Sequence, residues 1–81
     1  MANIQYADPA QDAVAVTPSD TTELSPIARS LYIGVEGNIK VTTEAGSDIT
    51  FVGVTAGSIL PVRCRRVFST GTTATDIIAL E

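Results

Sequence analysis

At 81 residues, with a formal net charge of −4, one cysteine, no histidine and no tryptophan, the chain has room for a single small domain and few ways to reinforce it. An intramolecular disulfide is excluded, the usual histidine-based zinc and copper sites are excluded, and the acidic balance runs against nucleic-acid binding, which needs a positive footprint. No apolar run has the length of a membrane-spanning helix, so neither nucleic acid nor membrane is an expected partner.

Residues 1–27 read as an extended N-terminal arm. Pro9, Pro18 and Pro26 each remove a backbone donor and bias the preceding residue away from helix. MANIQYADPA has neither the basic start nor the apolar stretch of a secretory signal, which predicts synthesis in a cytoplasm. Within the arm, Ala13, Val14, Ala15, Val16 and Thr17 alternate as one short strand, with Val14 and Val16 on a common face. Thr17, Pro18, Ser19 and Asp20 suit a turn, because Pro sets the first dihedral and Ser or Asp can bond the local backbone.

Residues 28–81 read as an antiparallel β domain. Leu31, Ile33 and Val35 share one parity against Ser30, Tyr32 and Gly34. Glu36, Gly37 and Asn38 suit a hairpin turn, followed by Ile39, Val41 and Thr43 alternating with Lys40 and Thr42. A turn over 44–48 leads into 49–54, where Ile49, Phe51 and Gly53 oppose Thr50, Val52 and Val54. After a turn at 55–58, Leu60, Val62 and Cys64 alternate with Arg63 and Arg65. Pro61 cannot donate to a ladder and marks a strand start or an edge. The doubled arginine at 65 and 66 breaks the alternation, and a bulge there would return Val67 to the apolar face. Residues 69–73 turn again, and 76–80 close the run. Short connections favour antiparallel neighbours, and no segment carries a helical period. The expected fold is all-β: a small antiparallel sandwich or barrel of about six strands with an extended N-terminal arm.

The chemistry-bearing side chains form no catalytic set. Cys64 has no histidine to activate it, and its parity with Leu60 and Val62 marks it as a small buried hydrophobe. The carboxylates sit in turns or in the arm, where local hydrogen bonding and solubility are their ordinary roles. Gly53, Gly57 and Gly71 match no phosphate loop. No catalytic residue, cofactor site or metal site is therefore assigned, and no enzyme activity is expected. Arg63, Arg65 and Arg66 are the main charged feature; the planar guanidinium recognises carboxylates bidentately. A domain with so small a core ordinarily needs a disulfide, a metal or partner subunits, and only the last remains. Arg63, Arg65, Arg66, Val14 and Val16 are the candidate oligomer-interface residues.

Five runs in order, VTPSDTTEL (16–24), ARSLYIG (28–34), ITFVGV (49–54), AGSILPVRCRRV (56–67) and TGTTATDIIAL (70–80), resemble the head-spike base proteins of gene transfer agents and related tailed phages. The resemblance spans nearly all the chain after residue 12. It implies a virion structural protein on the capsid surface: a homo-oligomer, pentamer or trimer, that binds the major capsid protein and anchors a spike or fibre protein. Two alternatives stand beside it, a capsid decoration (cement) protein and a tail- or fibre-associated carbohydrate-binding module. The family carries no catalytic residues to transfer.

Overall fold

A computed structural model describes residues 10–81; the first part of the expected arm, residues 1–9, lies outside the described residues. Seven strands form: β1 (Ala13–Ala15), β2 (Ser30–Val35), β3 (Gly37–Thr43), β4 (Asp48–Val54), β5 (Ser58–Leu60), β6 (Cys64–Val67) and β7 (Thr75–Leu80). They make two antiparallel sheets. The first is four-stranded in the order β1-β7-β2-β5, and the second three-stranded in the order β4-β3-β6. The all-β antiparallel fold expected from the alternation is the one found, and of the two expected forms, sandwich or barrel, it is the sandwich.

The core follows from period two. Leu31 and Ile33 of β2 and Ile77 and Ala79 of β7 point inward from the first sheet. Ile39 and Val41 of β3, with Cys64 and Val67 of β6, meet them from the second, and all eight are buried. Val16, Leu24, Phe51, Val54 and Leu60 pack around this centre, partly covered.

The connections differ from the sequence reading. Glu36, Gly37 and Asn38 form no hairpin, because β2 pairs with β5 and β7 whereas β3 pairs with β4 and β6. The chain changes sheet at Gly37, whose φ is +155° and whose missing Cβ would lie 2.5 Å from the Ala74 backbone nitrogen. Asn38 ties this corner to residues far along the chain. Its N–H donates to Thr73 Oγ1 at 2.8 Å, and its carbonyl accepts from Thr73 and Ala74. Among successive strands, β3 and β4 form the direct hairpin. The single strand expected through residues 60–68 is divided: β5 lies in the first sheet and β6 in the second, with Pro61 in the crossing rather than at an edge. This division accounts for seven strands where about six were expected.

Two phase breaks shape the second sheet. Between Gly37↔Val54 and Ile39↔Phe51 the register shifts by one residue, with Gly53 at φ +71°. The shift puts Val54 as well as Phe51 against the core, so the uninterrupted parity expected for residues 49–54 fails at Gly53. Between Thr42↔Arg66 and Thr43↔Cys64 the register shifts again. This is the bulge expected at the arginines, and it buries both Cys64 and Val67.

The arm lies along its own domain from residue 10 onward. β1 pairs with β7 in register Val14↔Ala79. The chain then crosses to the second sheet and follows the outer edge of β6: Ser19 N–H donates to the Val67 carbonyl at 2.9 Å, Leu24 N–H to Arg65 at 2.7 Å, and Ala28 exchanges bonds with Cys64. The expected turn near Pro18 sits slightly later, where Ser19 Oγ accepts from the N–H groups of Thr21 and Thr22. One segment thus seals the β1–β6 side of the sandwich.

Candidate assembly surface

The two outward faces are chemically unlike. On the first sheet the register aligns Ala15 with Ile78, Ile78 with Tyr32 and Tyr32 with Ile59. That row crosses all four strands on the face opposite Leu31 and Ala79. Tyr32 is 39% exposed and Ile59 56% exposed. Ala13, Leu80 and Ser30 form a second row beside it, so both rows lack charge. The next row on this face holds Gly34 and the exposed carboxylate of Asp76, so the uncharged patch is confined to these two rows; an apolar patch of this kind ordinarily marks an interaction surface.

The outward face of the second sheet carries Lys40, Thr42, Asp48, Thr50 and Arg66. Thr42 is buried, and its hydroxyl donates to Asp48 Oδ1 at 2.7 Å, so its burial leaves no polar group unmet. Lys40 Nζ lies 4.7 Å and the Arg66 guanidinium 5.5 Å from the centroid of the Phe68 ring, distances at which the ring face attracts cations.

The arginine cluster is divided by the fold. Glu23 Oε2 of the arm lies 3.4 Å from both Arg65 Nε and Arg66 Nη2. The Arg65 contact lacks hydrogen-bond geometry, and the Nε atoms of Arg65 and Arg66 are buried without a partner among the described residues. One carboxylate oxygen shared by two guanidinium groups leaves most of their donors available. Arg63 stands apart, at the end of the sandwich, lining a shallow groove with Asp12, Arg29 and Glu81. Val14 is exposed and Val16 half-buried; both face inward at the sealed side, Val14 opposite Ala79. The fold therefore brings Arg65 and Arg66 together and places Arg63, Val14 and Val16 elsewhere.

A second carboxylate pins the arm. Asp20 Oδ1 accepts from the N–H groups of Ser69 and Thr70 at 3.0 and 2.9 Å, and Oδ2 accepts from the Thr70 hydroxyl at 2.6 Å. These bonds, the Thr70 hydroxyl foremost and Lys40 in support, hold the Asp20 carboxyl below the ordinary aspartate range. Sequence reading assigned neither Glu23 nor Asp20 a partner, since the contacts span more than forty residues of chain. It also missed the row through Tyr32, because the strand order that assembles it is not sequential.

No group of three or more His, Cys, Asp or Glu side chains is placed to hold a metal ion among the described residues. Cys64 is fully buried, and burial raises its thiol pKa to about 11, far from the range of a nucleophile.

No protein-family profile and no curated protein matches the chain. Among solved structures, it is similar to a chain in the capsid of a native gene transfer agent (GTA) particle computed with C5 symmetry. The two are 39% identical over 98% of this chain and 92% of that one, with a TM-score of 0.84.

Proposed function

The chain belongs to the family of that GTA capsid component and is a capsid-associated virion structural protein, and on this premise we propose that it is the homo-oligomeric base of a head spike. In this role it attaches to the major capsid protein and anchors a spike or fibre protein. The observation that carries the reading is the near full-length relationship to a component of an assembled capsid. The symmetry attached to that particle favours five copies around an axis, a closed head-to-tail arrangement in which unlike surfaces of neighbouring copies meet.

The surfaces support a scaffold role. The uncharged row through Tyr32 and Ile59 is suited to being covered. Arg65 and Arg66, with donors to spare beyond Glu23, are suited to a neighbour's carboxylates, with Val14 and Val16 on the same side and Arg63 at the sandwich end. The role requires no reaction, and we assign none.

The test is a particle reconstruction combined with native mass spectrometry of the purified protein. The base reading expects a discrete closed ring, density at capsid vertices, and loss of the spike from particles lacking this chain. Density spread over capsid faces, with spikes retained in its absence, would refute the base reading and establish a decoration protein instead.

A further inference from the structure

The outward face of the second sheet is electrically polar from edge to edge. Thr42 of β3 pairs with Asp48 of β4 on one side and with Arg66 of β6 on the other. This row across the strands starts from a carboxylate at the open side of the sandwich, where β4 and β5 end their sheets. It finishes at a guanidinium on the side sealed by the arm. β4 and β5 carry one charged side chain between them, Asp48. Asp48 is exposed, and the Thr42 hydroxyl, donating to its Oδ1 at 2.7 Å, orients the carboxylate while using only part of its acceptor capacity.

The sealed side is one carboxylate short. Arg65 and Arg66 share a single oxygen of Glu23, 3.4 Å from each. Asp20, on the same stretch of the arm, is taken up by Ser69 and Thr70. Two guanidinium groups therefore meet one available carboxylate. Each border also leaves an inward-facing apolar side chain partly uncovered. Ile49 of β4, opposite Val41, is 47% exposed, and Val14 of β1, opposite Ala79, is 44% exposed.

We propose that a second copy of this chain supplies the missing carboxylate: Asp48 of one copy pairs with Arg66 and Arg65 of the next, and Ile49 is covered against Val14. The inference rests on the oligomeric reading above and deepens it by naming the contact between neighbours. Charge complementarity selects this occupant. In the joined cluster two carboxylates balance two guanidinium groups, and the planar fork of arginine suits a carboxylate. An open side set against another open side leaves the arginines unmatched. The row also fixes the axis. Asp48 and Arg66 stand at one level across the strands, so copies rotated about an axis running along the strands bring them together at the same height. The contact then repeats head to tail until the ring closes.

The test is a double-mutant cycle on the full-length protein, with self-association measured by sedimentation velocity. Asp48→Asn keeps an acceptor for the Thr42 hydroxyl and removes the charge; Arg66→Gln removes the guanidinium. Each is expected to weaken self-association at least about tenfold, with circular dichroism and urea unfolding of the dissociated subunit close to the wild type. The double variant should lose little more than either single, because removing one partner already removes the pair. In a mixture of isotope-labelled and unlabelled Arg66→Lys chains, carbodiimide should join the new amine at position 66 to Asp48 of another chain. The proposal is overturned if the single variants associate as the wild type does, or if the double variant shows the product of the two separate losses. It is equally overturned if the amine at position 66 forms no link to Asp48 of another chain. A ring that forms with independent losses sinks this contact alone; absence of the chain from particles sinks the base reading.

Discussion

Replacing Tyr32 with Asp separates assembly from folding. Tyr32 lies at the middle of the uncharged row, with Ile78 on one side and Ile59 on the other. An aromatic side chain offers roughly 150–250 Å², and Tyr32 is 39% exposed. About 60–100 Å² therefore remains to be covered, worth about 1.5–2.5 kcal/mol at about 25 cal/mol per Å². A carboxylate at a covered interface adds a desolvation cost of a few kcal/mol more. Together these predict at least a hundredfold loss of incorporation into particles. The isolated subunit loses only two cross-strand pairs, about 0.2–1 kcal/mol each, out of a total stability of about 4–12 kcal/mol for a chain of this size. Urea unfolding should therefore move little, while quantitative mass spectrometry of purified particles should show the variant missing. Tyr32→Phe keeps the apolar area and should incorporate normally. If Tyr32→Asp enters particles as the wild type does, the row is not a covered surface.

Three further outcomes follow from the side-chain contacts. Arg65→Glu removes a half-exposed pair with Glu23, worth up to about 1 kcal/mol; melting should fall by no more than about 8 °C, while size-exclusion shows smaller assemblies, and unchanged assemblies would remove Arg65 from the interface. Asp20 has a lowered pKa in the fold, so its contribution is complete above its ordinary value of 3.8 and drains away as pH falls through the lowered native value. Acid titration of melting should be flatter below pH 3.8 for Asp20→Asn than for the wild type; identical curves would show that the clasp at Ser69 and Thr70 contributes nothing. Gly37→Ala forces a Cβ into the Ala74 backbone at positive φ, costing about 1–3 kcal/mol in backbone strain and about 1–3 kcal/mol in overpacking; a urea midpoint close to wild type would mean the sheet-switching corner relaxes freely.

The alternating positions were readable because burial acts at every second residue. Leu31, Ile33, Ile39 and Val41 occupy the core as their parity requires. The bulge at Arg65 and Arg66 was readable for the same reason, since two successive arginines cannot both continue the alternation. Gly37 was not readable as a corner: Glu, Gly and Asn suit a hairpin and a change of sheet equally well, and the choice is made by the distant backbone of Thr73 and Ala74. Gly53 carried a bulge signal, but flanking valines disguised the phase change. The path of the arm depends on Asp20 meeting Thr70 and Glu23 meeting the arginines, contacts that have no local signature.

The asymmetry of the sandwich bears on the symmetry of the proposed ring. One side is sealed from Ser19 to Ala28 along β6, and the other leaves β4 unpaired among the described residues. A two-fold dimer could join β4 to β4, but the bulge at Gly53 twists that edge away from long flat pairing. Such a dimer would also consume the open edge of both copies and end there. A head-to-tail contact between the sealed side of one copy and the open side of the next would repeat at every step of the proposed ring, and the repetition closes when the rotation per copy divides the circle. In the proposed ring the row through Tyr32 would continue from copy to copy as a belt on one face, with the charged face of Lys40 and Arg66 as the other. One mainly apolar surface and one charged surface, each repeated around a single axis, would suit the proposed base, with a shell below and a spike above.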